Sequence, residues 1–376
     1  MLLQPGASAA AEDGDLGRHP GDYARAKPAA SSIPLHQHLA FAVVANPAVS
    51  VIIPARDAEP TIERTLSCLC EQTLSEDFEV IVVDDGSRDR TAEIALAQRG
   101  RVRLVASDES QGPGAARNRG AEVASAPVLA FTDADCFPTP QWLAAGLRMI
   151  GQIDLVQGRV EPDPAVPRTP FDRTLVVQRE GGFYQTANLF VTRPMFDAVG
   201  GFRDWALEEH RHRSWPADHR RGRASRTPIG EDTLFAWSAR RLGARSGFAS
   251  DALVHHAVVP GTILDDVADR WHWASDMAGL TRLVPELREV AFHRHVFFNI
   301  VTARFDYAVM GLTTAALTRS RWWLLAGMPY VRHVLNASRD WSQRQRLAYM
   351  AGAPVVEAAT LAALLTGSLR WRSVVL

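Results

Sequence analysis

VSVIIPARD, residues 49–57, is a short apolar run dominated by β-branched residues, the pattern of a strand covered on both faces. Working outward, Pro60 stands at a plausible first helical position, and Ile62, Leu66 and Leu69 recur at helical spacing, so a helix runs to about Gln72. FEVIVVDDGS (78–87) reads as a second strand ending in a turn, and a second helix opens at Ser87 with polar and acidic residues in its first turn. VRLVAS (102–107) supplies a third strand and Gly112 to about Val123 a third helix. PVLAFTDAD (127–135) is a fourth strand running directly into two carboxylates. Strands alternating with helices imply βαβ crossovers and a mostly parallel sheet, whose ligand site lies beyond the carboxyl ends of the strands. Asp84, Asp85, Asp133 and Asp135 all fall at such ends, so four carboxylates should converge on one rim.

The 376 residues suffice for two domains or for one large α/β domain with additions. With 41 Lys+Arg against 42 Asp+Glu, the net charge of -1 lacks the basic excess of a dedicated nucleic-acid binder, and no nucleic-acid partner is expected. Three cysteines, Cys68, Cys70 and Cys136, form no disulfide framework and no C-x-x-C motif; buried thiols in a reducing compartment are the expectation. Residues 1–46 are rich in Ala, Pro, Gly and Ser without a basic segment leading into an apolar one. They read as a loosely attached leader rather than a secretory signal.

Asp133-Ala-Asp135 sets two carboxylates on one side of an extended segment. Hard oxygen ligands suit Mg2+ or Mn2+, which keep positions free for water and substrate phosphates. Glu231-Asp232 opens an amphipathic helix, DTLFAWSARRLG, where a capping role competes with a chemical one.

VSVIIPARDAEPTIERTL, VIVVDDGSRDRT, GPGAARNRG, the D-A-D triplet, TANLFVTRPMFDAVGGF and Gly230-Glu231-Asp232, in that order over Val49 to His256, resemble the family 2 glycosyltransferases. The resemblance implies a GT-A fold, with a Rossmann-like mostly parallel sheet flanked by helices over residues 47–260, and an inverting enzyme that uses a nucleotide-sugar donor. By position it implies that Pro54, Arg56, Asp57 and Asp85 hold the base and ribose, with UDP or TDP as the nucleotide, since a carboxylate accepts the imide N–H of uracil or thymine. Gly112, Gly114 and Arg117 resemble the loop that approaches the donor, Asp133 contacts ribose and metal, and Asp135 coordinates the metal with His256 rather than His255. Asp232 resembles the general base, with Glu231 beside it. Direct inverting displacement needs such a carboxylate on the face opposite the departing diphosphate. Arg270-Trp271 resembles the end of a donor-side signature in processive members, with Val267 where glutamine would stand. Asn188 and Gly200-Gly201-Phe202 resemble the acceptor-side wall.

Between that wall and Glu231, six arginines from Arg211 to Arg226 occupy an insertion spanning 203–230, read as a solvated loop or a clamp for an anionic acceptor. Residues 261–376 are helical and apolar. AVMGLTTAALT and WWLLAGMPYV are split by Arg319 and Arg321, and Leu347 to Leu369 is interrupted by Glu357. The short runs suit interfacial or core helices better than spanning ones. The expected partners are therefore a nucleotide-sugar donor, a glycan, lipid-linked or small-molecule acceptor, and a membrane surface, with the chain cytoplasmic or peripheral on the cytoplasmic face. Two other classes remain: a sugar-phosphate nucleotidylyltransferase, which would want a basic glycine-rich loop where PARDAEP stands, and a non-catalytic nucleotide-sugar-binding scaffold.

Overall fold

The run at 49–57 becomes β1 (Val49–Ala55), in which every residue but Pro54 is buried, as a strand with helices on both faces requires. A computed structural model of the protein describes residues 45–98, 102–203 and 230–376. The leader up to residue 44 and the arginine-rich stretch 204–229 lie outside the described residues. β1 is flanked in parallel by β2 (Phe78–Asp85) and β4 (Val128–Phe131), and β2 pairs in parallel with β3 (Val102–Ser107). The helices between them are α1 (Ile62–Cys70), α2 (Thr91–Ala97) and α3 (Pro113–Val123).

Past β4 the sheet becomes mixed. β5 (Cys136–Pro138), α4 (Trp142–Ile150), β6 (Leu155–Pro162), β7 (Leu189–Thr192), α5 (Arg193–Val199), α6 (Glu231–Arg241) and β8 (Ser246–His256) follow. The eight strands run in the order β3-β2-β1-β4-β7-β6-β8-β5. β7 is antiparallel to β4 and to β6, β8 is parallel to β6, and β5 closes the edge antiparallel to β8. The parallel half was readable as alternating strand and helix; in the second half β6 and β7 are joined by a long stretch, 163–188, without an α-helix, and β7 runs antiparallel to both its neighbours.

Alternate residues of β1 feed two cores. Val51 and Ile53 pack with Leu66, Trp142 and Phe190, whereas Ile52 packs with Phe131, Phe202 and Phe235. The second core continues into the C-terminal region, where α7 (Ile263–Leu283) contributes Ala274, Met277 and Ala278, and α11 (Gln343–Trp371) contributes Ala363, Leu364 and Trp371. The helices approach closely at Gly367, where a Cβ would lie 2.4 Å from the Ser275 carbonyl oxygen. Thus the long helix α11 packs along α7 and shares the second core with the sheet. The intervening α8 (Leu287–Val290), α9 (Ile300–Thr318), a 3-10 turn at Arg321–Gly327 and α10 (Met328–Ala337) build a smaller cluster around Phe305, Tyr330 and Val334. The cysteines depart from expectation in burial: all three are free thiols, but only Cys136 is buried, since Cys68 and Cys70 lie on the outer side of α1.

Candidate functional site

The carboxyl end of β2 places Asp84 and Asp85 on opposite sides of the strand. Asp84 turns into the following turn and accepts hydrogen bonds from the Ser87 amide (3.2 Å) and hydroxyl. Burial raises its pKa. Asp85, only 3% exposed, accepts from the Ser110 hydroxyl at 2.6 Å, the Gln111 amide at 3.0 Å, the Gly112 amide at 2.9 Å and Arg119 at 2.6 Å. Burial alone would raise its pKa, but these donors outweigh it and hold the carboxylate below its ordinary range. Gly112 takes φ 93°, a backbone that side chains disfavour, which lets its amide reach Asp85 while it caps α3. Arg56 donates to the Ser110 hydroxyl (2.8 Å), and the Asp57 carboxylate accepts from the Arg88 amide (2.8 Å). Arg56, Asp57 and Asp85 therefore gather at the 108–112 loop and the 86–88 turn, and Pro54 stands in β1 opposite Val83. Asp85 holds this loop from behind, with its acceptor positions filled by the protein.

One turn into α3, Arg117 is buried between two carboxylates, 2.8 Å from Asp133 Oδ1 and 2.9 Å from Glu231 Oε1. It thereby ties the end of β4 to the start of α6. Gly114 makes room for this joint, because a Cβ there would lie 3.3 Å from Glu231 Cγ and 3.4 Å from Phe202 Cβ. Gly230, at φ 101°, takes the N-cap position of α6, so Glu231 and Asp232 stand in the first turn and neither caps the helix. The Asp232 carboxylate accepts from the Thr233 amide at 2.7 Å. Burial and then the charge of Glu231 push its pKa up to about 7, against the opposing pull of Arg117 and of the Thr233 and Thr186 amides. Arg117, Asp133, Thr186, Glu231 and Asp232 line one cavity of about 260 Å³.

A second cluster is built by the β5–β8 ladder. Cys136 pairs in register with His256, and the Ala257 amide donates to the Asp135 carbonyl at 2.9 Å, so Asp135 and His256 are held side by side. His256 Nδ1 lies 2.8 Å from the Ala257 carbonyl, and Nε2 lies 3.6 Å from Asp135 Oδ2. A carbonyl partner keeps the proton on Nδ1 and leaves the Nε2 lone pair facing a carboxylate oxygen. Two lone-pair donors turned toward each other suit a cation between them. Burial, and then the nearby charge of Asp133, raises the Asp135 pKa. Cys136 Sγ lies within the same 4.8 Å cluster, but burial lifts its thiol well above the ordinary range, which leaves it protonated and a poor ligand. One carboxylate and one imidazole form a partial set compatible with Mn2+ or Mg2+, which fill their remaining positions with water and substrate oxygens.

The other residues singled out in the sequence lie elsewhere. Arg270 is bonded to Asp266 one turn back (3.3 Å) and lines a separate cavity of about 890 Å³ with Trp273, Tyr349 and Glu357. That cavity shares Leu175 with the one lined by Asp133 and Asp232. Asn188 is no wall of an open site. It is fully buried, accepts from the Trp142 indole (2.8 Å) and donates to the carbonyls of Arg159 (2.9 Å) and Ala252 (2.7 Å), fastening β6 to β8. Gly200 and Gly201 turn the chain after α5, and Phe202 joins the core. Thr186 and Arg119 were not singled out; Thr186 acts through its backbone amide, for which side-chain pattern carries no signal.

Residues 50–203 match the family model described as Glycosyl transferase family 2. Glycosyltransferase AglE of Haloferax volcanii is 37% identical over 170 residues, 42% of this chain and 56% of AglE. Validoxylamine A glucosyltransferase of Streptomyces hygroscopicus subsp. limoneus is 40% identical over 105 residues, 27% of this chain and 23% of that protein. The matches thus span about half the length of AglE and a quarter of the glucosyltransferase. Among solved structures, the mannosyltransferase PcManGT from Pyrobaculum calidifontis, in complex with GDP-Man and Mn2+, aligns over 87% of this chain and 88% of its own with TM-score 0.47 and 16% identity. S. aureus TarS 1–349 in complex with UDP aligns over 86% and 92% with TM-score 0.43 and 19% identity.

Proposed function

We propose a reaction from the premise that this chain carries a family 2 glycosyltransferase domain: transfer of a sugar from a nucleoside diphosphate, UDP or TDP, to an acceptor hydroxyl with inversion. The observation that carries the proposal is the placement of Asp232 in the wall of a cavity that also holds Asp133 and Arg117, beside Glu231, where burial and that neighbour push its pKa up to about 7. A base poised near neutral pH takes a hydroxyl proton while remaining substantially ionised at working pH. Holding a carboxyl there costs stability, which a scaffold that only binds nucleotide-sugars has no reason to bear. A nucleotidylyltransferase would place a basic glycine-rich loop after β1; here Pro54, Arg56 and Asp57 stand in that position.

Each residue then has a task. The 108–112 loop, braced by Asp85, and the Pro54–Asp57 turn form the nucleoside end of the site, with Arg56 as its cationic side chain. Gly112 and Gly114 allow the N-terminal end of α3 to approach the donor, and Arg117 fixes Asp133 and Glu231 relative to each other. Asp135, His256 and Asp133 would hold Mg2+ or Mn2+, whose charge offsets that developing on the departing diphosphate. Glu231 raises the basicity of its neighbour. Asp232 removes the acceptor proton as the C–O bond to the diphosphate breaks on the opposite face, so no covalent sugar–enzyme intermediate forms. The 890 Å³ cavity shares Leu175 with the Asp232 cavity, and its aromatic and acidic lining (Trp273, Trp341, Tyr349, Asp172, Glu357) suits the apolar faces and hydroxyls of a glycan-like acceptor.

The test is nucleoside diphosphate release from UDP-, TDP- and GDP-sugars with Mn2+, in parallel for the native chain and Asp232→Asn. Release by the native chain together with at least about a hundredfold loss in the variant supports the reading. Equal release by both removes Asp232 from the role of base.

A further inference from the structure

The helical hairpin formed by α9, the 3-10 turn and α10 turns an apolar surface outward. Leu317 is 80% exposed and Trp322 77%, and Met310, Trp323, Leu325 and Met328 are exposed beside them. No residue of the 3-10 turn is buried. This is no loosely attached arm: a Cβ on Gly311 would lie 2.5 Å from the Trp323 carbonyl oxygen, so the turn is packed hard against α9 and presents its tryptophans from a fixed backbone. Contiguous apolar exposure of this kind on a folded chain marks an interaction surface.

Charge identifies the partner. Between residues 307 and 356 the sequence holds six arginines, among them Arg319, Arg321 and Arg332, and a single acidic residue, Asp340, whereas the whole chain has a net charge of -1. All three named arginines are exposed, and Arg319 and Arg321 flank the tryptophans in sequence. Exposed tryptophan and leucine rimmed by arginine is the composition of an element lying at the boundary between headgroups and acyl chains, and the basic excess selects anionic lipid. A second copy of the same surface would instead set arginine against arginine. Spanning is disfavoured by length, since the uncharged part of α9 runs from Tyr307 to Thr318, well short of about 20 residues. α11 is long and apolar enough to cross a membrane, but it buries Glu357 at its middle and packs along α7.

We propose that the α9–α10 hairpin, residues 309–335, docks the protein flat onto an anionic bilayer surface, with Trp322 and Trp323 inserted at headgroup depth and Arg319, Arg321 and Arg332 against lipid phosphates. The inference stands apart from the glycosyl-transfer reading, since neither nucleotide nor metal enters it.

The experiment is sedimentation of the full chain with vesicles of phosphatidylcholine alone and of phosphatidylcholine mixed with phosphatidylglycerol, with tryptophan emission followed in the same samples. The chain is expected to pellet with the mixed vesicles, to shift its emission to the blue, and to be released by high salt. Each arginine near the surface contributes about fivefold to the partition, so the triple variant Arg319→Asn, Arg321→Gln, Arg332→Gln should bind about a hundredfold more weakly. Trp322→Ala with Trp323→Ala should abolish the blue shift, and unchanged melting of both variants would show that the fold is kept. The proposal is overturned if the native chain stays in the supernatant with both vesicles, if the variants bind as it does, if light scattering shows a dimer and no vesicle binding, or if only detergent releases the chain.

Discussion

Replacing Asp232 by asparagine should stabilise the protein while abolishing transfer. In an unfolded chain the carboxyl titrates near its ordinary 3.8, and in the folded chain at about 7. The folded state therefore binds the proton more tightly, and the stability this contributes is fully present below the unfolded value and lost as pH rises through about 7. At 1.36 kcal/mol per unit, some 3 units amount to about 4 kcal/mol of destabilisation once both states are ionised. Asparagine keeps an oxygen for the Thr233 amide and carries no charge to desolvate or to repel Glu231. Its amide must still fit beside Arg117, so the expected gain at about pH 8 is about 2–4 kcal/mol, vanishing near about pH 4. Urea unfolding of both proteins at the two pH values measures it. A variant no more stable than the native chain at the higher pH, or an equal difference at both, would refute the reasoning that burial and Glu231 load Asp232.

Three further outcomes follow from the same geometry. If Asp232 is the base, donor kcat/KM should fall on an acid limb near pH 7, to about a tenth one unit below it, and Glu231→Gln should move that limb to lower pH; a limb that stays put in the variant would show that Glu231 does not act on Asp232. Arg117→Met leaves Asp133 and Glu231 without their shared cation and should cost about 3–5 kcal/mol in denaturant unfolding, with part of the loss regained in the double variant with Glu231→Gln. His256→Ala should weaken Mn2+ binding by about 10–100-fold in a calorimetric titration while leaving the melting temperature of the metal-free chain nearly unchanged.

The parallel half of the sheet was legible because β1 to β4 are apolar runs separated by helices of matching period, and because their acidic ends fall where ligand sites lie. The pairing of Asp135 with His256 rested on resemblance, and its physical cause, the β5–β8 ladder, joins segments about 120 residues apart, beyond the reach of local pattern. Asn188 and Arg270 show what local pattern leaves out. Each sits in a recognisable motif, yet one joins two strands through two hydrogen bonds and accepts a third from Trp142 of α4, and the other bonds to Asp266 one turn back. Such roles are fixed by which backbone carbonyl or carboxylate happens to be near in the fold, which spacing along the chain does not encode. Asp85 lies between these cases: the strand end was legible, while its four donors come from a loop and a helix some 25–34 residues away.

The central claim, a metal-assisted nucleotide-sugar site at the rim of the sheet, is tested most directly by calorimetric titration of UDP, TDP and GDP into the full chain, with Mn2+ and with EDTA, for the native protein and Asp135→Asn. The account predicts that UDP or TDP binds with Mn2+, that EDTA removes the binding, and that Asp135→Asn weakens it. Folded protein that takes up none of the three diphosphates in the presence of Mn2+ would contradict it.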